Sequence, residues 1–76
     1  MLNSIDELVI GRLYVLNKSG TGEWNGSIIR IDRIISSTVY ITRVSDNEIG
    51  STIIMNLMSW LTPVLISKTY GILYNL

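Results

Sequence analysis

The sequence predicts a mainly β domain, a small antiparallel β-barrel with one short helix before its last strands. Three observations carry this. Apolar residues alternate with period two over short stretches separated by turn signals. Asn25-Gly26 is the strongest short hairpin signal a sequence can offer, because both residues tolerate positive φ. Only one stretch, Ser51 to Leu61, changes to a helical period. With 76 residues the chain is one domain or part of one, and residues 1–76 are read as a single small β-barrel domain. A chain this short buries only about 60% of the surface its unfolded form exposes. Its core must be dense, and an apolar content of 47%, with thirteen isoleucines and nine leucines, supplies one.

The elements follow in order. Ser4-Ile5-Asp6-Glu7 reads as a capping box, in which a serine and a glutamate three residues on cap one another's amides. The β-branched Val9 and Ile10 and then Gly11 limit the helix to one turn. RLYVLN, residues 12–17, reads as a strand with Leu13 and Val15 on one face and Tyr14 and Leu16 on the other. Both faces are apolar, so it is expected to be covered on both sides. NKSGTGE is a loop. A type I′ turn at Asn25-Gly26 would leave Trp24 and Ser27 flanking it at the ends of paired strands. SIIRIDRIIS, residues 27–36, has no cleanly apolar face, but a bulge near Asp32-Arg33 would turn both Ile31 and Ile34 inward. Ser36-Ser37 turns the chain into TVYITRV, residues 38–44, with Val39 and Ile41 inward and Tyr40 and Thr42 outward. SDNEIG is a further turn. The helix is expected to take Ser51 or Thr52 as its N-cap and to end by about Leu61, because Thr62 precedes Pro63. PVLISK and YGILYNL, broken at Gly71, close the chain as short strands.

Composition excludes most chemistry. The chain has no His and no Cys, so the commonest general base, the thiol nucleophile and the usual soft metal ligands are missing. Asp6 and Glu7 are explained by capping. The turn holding Asp46 and Glu48 lacks the ligand count of a calcium site. Lys18-Ser19-Gly20 has the wrong order for a phosphate loop. The expectation is a protein that is not an enzyme, with no cofactor, no metal and no catalytic residue. Charges make up 16% and cancel to zero, and mean hydropathy is +0.38. A weakly charged, greasy surface favours self-association or partner binding. No apolar run approaches the roughly 18 residues of a membrane helix, so no membrane association is expected. The start, MLNSIDELVIG, has neither the basic nor the apolar region of a signal peptide, and a cytoplasmic location is expected. Abundant Ile, Asn, Ser and Tyr with no Ala suggests an AT-rich coding sequence, as in many phage genes.

The pattern resembles an SH3-like small β-barrel. The resemblance rests on GRLYVL from Gly11, WNG from Trp24, the step from Ile31 to Ile34, VYI from Val39, Gly50, and LTPV from Leu61 to Val64. It covers roughly residues 10 to 66. The LTPV ending is similar to the last strand of small phage-encoded SH3-like proteins. Two features depart from the family. The segment from Ser51 is longer than the family's single 3₁₀ turn, and the first loop lacks the acidic run and aromatic pair of proline-binding members. Recognition of proline-rich peptides is therefore not carried over.

The expected function is non-catalytic protein binding. The resemblance to small phage proteins implies an inhibitor or modulator of a host defence protein, acting in the host cytoplasm. Trp24, Tyr14, Tyr40 and Arg33 are the candidate contacts. Tryptophan is enriched at binding hot spots, and tyrosines on outward strand positions wall grooves. Trp24 reads equally well as a cover over the open end of the barrel, and Trp60 reads as core or near-core. Two alternatives stand. In one, Arg30, Arg33, Arg43 and Lys18, with Trp24 or Tyr40, form a nucleic-acid-binding face of the KOW or Tudor kind, with Arg30 and Arg43 opposed across the central hairpin. The zero net charge weighs against it. In the other, the chain is a structural homo-oligomer pairing through YGILYNL, where Tyr70 and Tyr74 flank Gly71.

Overall fold

The computed structural model describes residues 2, 4–66 and 73–75, with 65, 66 and 73–75 as backbone. Ser4 opens a single 3₁₀ turn, Ile5–Glu7, and the expected capping box forms. The Ser4 hydroxyl accepts from the Asp6 amide at 3.3 Å, and the Glu7 carboxylate accepts from the Ser4 amide at 3.1 Å. Six strands and one helix follow: β1 (Leu13–Leu16), β2 (Ile28–Ile35), β3 (Thr38–Arg43), β4 (Glu48–Ile53), α1 (Ile54–Trp60), β5 (Leu61–Ile66) and β6 (Leu73–Asn75).

All pairings are antiparallel, in the order β4-β3-β2-β1-β5-β6. The mainly β class with one short helix is therefore present. No ladder joins β4 to β5 among the described residues, so the sheet is open and not closed into a barrel. No helix among them is long and apolar enough to cross a membrane. Of YGILYNL, only the backbone of Leu73–Asn75 is described, pairing with β5; Tyr70 and Gly71 lie outside the described residues, as does the Tyr74 side chain.

The bulge sits where the alternation fails. Ile31 pairs with Ile41 and Arg33 with Tyr40, which leaves Asp32 as the extra residue. Ile29 and Ile31 precede it fully buried, and Ile34 follows it packed on the core. The β2–β3 turn is Ser36-Ser37, with φ of 54° at Ser36. Both faces of β1 are covered: Tyr14 and Leu16 join the core, and Val15 is buried on the other side.

The helix starts later than its period suggests. Residues 51–53 belong to β4, and the N-cap is Ile53, with no side-chain cap. The reason is tertiary: every residue from Glu48 to Ile53 pairs with one of β3, alternate ones by hydrogen bonds, and this ladder outweighs one further helical turn. The C-terminus lies as expected, at Trp60 before the Thr62-Pro63 step. Its orphan carbonyls are met by other segments: the Leu2 amide donates to Met58 at 2.9 Å and the Asn17 amide to Trp60 at 2.7 Å. Leu57 is the buried centre of α1, against a cluster that includes Tyr14, Leu16, Ile31, Val39, Ile41 and Leu61.

A tryptophan-lined groove beside an edge strand

The loop between β1 and β2 is built to present Trp24. Its 3₁₀ turn, Gly22–Trp24, leads into Asn25 at φ −66°, ψ 121° and Gly26 at φ +84°. That is a type II turn, closed by the Ser27 amide on the Trp24 carbonyl at 3.1 Å, rather than the expected type I′. The difference has a physical cause. Trp24 is not the end of a strand: its carbonyl already closes the loop's own turn, and the ladder resumes only where the Gly26 amide reaches the Leu16 carbonyl at 2.7 Å. The Asn25 side chain accepts from the Lys18 amide at 2.9 Å and ties the loop's two arms together.

Trp24 lies over Gly50. A Cβ on Gly50 would stand 3.0 Å from the indole Cη2 and 3.1 Å from Cζ2, so the ring occupies the place of a side chain on the inner face of β4. Gly50 pairs with Ile41, an inward position, and a glycine there marks a close approach. On the other side the Arg43 guanidinium stacks 4.8 Å from the centre of the Trp24 ring. Arg43 also donates to both oxygens of Asp46, at 2.9 and 2.6 Å, and reaches Glu23 at 3.4 Å. The pairing with Arg43 holds the Asp46 carboxyl below its usual range, and the Asp46 hydrogen bond raises Arg43 further.

Between Trp24 and Trp60 runs a groove of about 310 Å³, floored by Leu16, Ile41 and Leu57 and flanked along one side by residues 48–52 of β4. Trp24 and Trp60 are half-buried, and Ile49 at its rim is 72% exposed. The groove is mostly apolar, with Thr21, Glu48, Ser51 and Thr52 as its polar lining.

The sequence-predicted residues divide. Trp24 lines the groove and packs against the core, so its reading as a cover holds. Tyr14 is fully buried and is no surface contact. Its hydroxyl donates to the Glu7 carbonyl and accepts from the Val9 amide at 2.9 Å, which lets a tyrosine sit in an apolar core. Tyr40 is outward and half-buried, with Arg33 stacked 4.5 Å over its ring on the sheet face away from the groove. The basic face is not assembled. Arg30 pairs with Thr42 and Arg43 with Ile29, so the two arginines lie on opposite faces of the sheet. Arg30 also engages Asp32 at 2.9 Å, Arg43 is buried in its ion pairs, and Lys18 stands exposed in the loop. Sequence reasoning missed Gly50, Ile49 and Glu48 as groove residues, and Glu23 as a partner of Arg43 beside it. A lone glycine at an inward strand position was the one available signal.

No protein-family model, no curated protein and no solved structure matches this chain.

Proposed function

We propose that the chain is a non-catalytic protein-binding module whose contact surface is the groove between Trp24, Trp60 and β4. The carrying observation is the pair of half-buried tryptophans bordering an apolar cleft beside exposed Ile49. Aromatic anchors around a desolvated pocket are the usual centre of a protein interface. The order β4-β3-β2-β1-β5, with α1 joining β4 to β5, supports the reading of an SH3-like barrel left open at the β4–β5 seam. On the phage-like reading of the composition, the partner is a host protein.

Ile49→Glu tests the proposal, because Ile49 stands 72% exposed on the β4 edge that borders the groove and contributes little to the core. The variant should keep wild-type stability within about 0.5 kcal/mol. It should lose a partner that the wild type captures stoichiometrically from lysate, whereas Arg33→Glu, on β2 and not among the groove residues, should retain it. Equal capture by wild type and Ile49→Glu would remove the groove from the interface. A closed oligomer that captures nothing would replace binding by self-assembly.

A further inference from the structure

The groove is bordered by a strand edge, and that edge is unguarded. β4 is the terminal strand of the sheet order. The Ile54 amide donates to the Ser37 carbonyl at 2.8 Å, so the 37/54 pair is a hydrogen-bonded one. Antiparallel pairs alternate. The amides of Ile49, Ser51 and Ile53 and the carbonyls of Ile49 and Ser51 therefore point away from β3, toward the open side, while the Ile53 carbonyl opens α1. Natural edges are blunted by lysine, proline or a bulge. Glu48–Ile53 holds no lysine and no proline, and its register with β3 is unbroken.

Charge indicates what the edge accepts. Glu23, Asp46 and Glu48 all act on Arg43 at this end of the groove. Three carboxylates against one guanidinium leave a net charge of −2. Arg43 is committed to Asp46, and its side chain is only 7% exposed. Glu23 is 87% exposed at a looser 3.4 Å, and Glu48 is also exposed. A second copy docking through its own β4 would bring Glu48 and no base, and would leave this excess unanswered.

We infer that the groove takes an extended, basic peptide segment, added as a strand to the β4 edge. Its alternate apolar side chains settle between Trp24 and Trp60, and a lysine or arginine near one end meets Glu23 and Glu48. Main-chain hydrogen bonds to Ile49, Ser51 and Ile53 supply affinity, and the groove and the carboxylates supply selectivity. The inference rests on the protein-binding reading of the same groove and adds the class of its ligand.

The experiment sorts a randomised short-peptide library with labelled full-length protein and then measures the selected peptides against variants. Selected peptides should combine a basic residue with alternating β-branched or aromatic ones. Ser51→Pro removes an outward amide at the β4 border of the groove, with its side chain on the Tyr40 face, and should abolish binding. The double variant Glu23→Gln/Glu48→Gln alters exposed side chains only, and should weaken binding about tenfold and flatten its salt dependence. If Ser51→Pro fails to fold by circular dichroism, the glutamine pair decides. Selected peptides without basic residues, or affinity unchanged in the glutamine pair, would overturn the basic-strand inference and leave groove binding standing. An empty selection overturns it too. The protein-binding reading survives that result if Ile49→Glu still loses a captured protein, and it falls if the chain instead dimerises through β4.

Discussion

Gly50 is the residue on which the groove turns. It lets the Trp24 ring lie against the inner face of β4, 3.0 Å from where a Cβ would stand. Adding a side chain forces the ring or the strand to move, and overfilled sites of this kind cost about 1–3 kcal/mol. Gly50→Val should therefore lower stability by about 1–2 kcal/mol in urea denaturation and shift the Trp24 indole N–H resonance. An unchanged resonance would mean that the ring does not depend on the glycine. Charge at the residue scale sets the acid limit. Asp46 is held below its usual range by Arg43, and Asp32 by the Thr42 hydroxyl, with Arg30 adding to it. Because both folded values lie below the unfolded one, the stabilisation is fully present above about pH 4 and is lost as pH falls through the lower folded values. The urea midpoint should be flat from neutral pH to about 5, fall below about 4, and fall less in Asp46→Asn. Thr42→Val should return the Asp32 titration, followed by carboxyl NMR, toward the ordinary range.

At the scale of elements, the sequence marks where the chain turns more reliably than how. Asn25-Gly26 is a turn, but of type II, because its form is set by the 3₁₀ turn before it and the Leu16 carbonyl after it. Gly26 still needs its positive φ of 84°. Gly26→Ala should cost about 1 kcal/mol by thermal or urea unfolding, whereas a mobile loop would register no change. The bulge at Asp32 was legible because two isoleucines fall out of phase there, and only an inserted residue turns both inward. The β4–α1 boundary was not legible. Thr52, Asn56 and Ser59 keep a helical spacing, and the Asn56 amide does donate to the Thr52 hydroxyl at 3.2 Å. Yet the backbone of residues 51–53 pairs with β3, a partner distant in sequence. Period reports a face, and a face does not disclose which backbone ladder is made.

For the whole molecule, Tyr14 shows what sequence cannot supply. Leu13 to Leu16 is apolar on both faces, so alternation alone does not choose which face is core. The choice follows from an N-terminal strap that returns over the sheet and gives the Tyr14 hydroxyl two backbone partners, the Glu7 carbonyl and the Val9 amide. Leu2 and Leu8 of the same strap are buried in the cluster, and Leu2 also bonds the end of α1. The strap therefore joins the sheet to the helix. A domain of this size has a total stability of only about 4–11 kcal/mol. Tyr14→Phe keeps the ring but removes the hydroxyl from the part-buried Glu7 carbonyl and Val9 amide, at a cost of about 1–2 kcal/mol. The loss should not be uniform. Amides of residues 4–12 should exchange with solvent faster by a larger factor than those of β2 and β3, because the strap can lift while the central hairpin stays paired. Native-state hydrogen exchange on both proteins measures this directly. Equal acceleration everywhere would instead make the strap part of the same cooperative unit as the sheet, with Tyr14 acting on global stability alone.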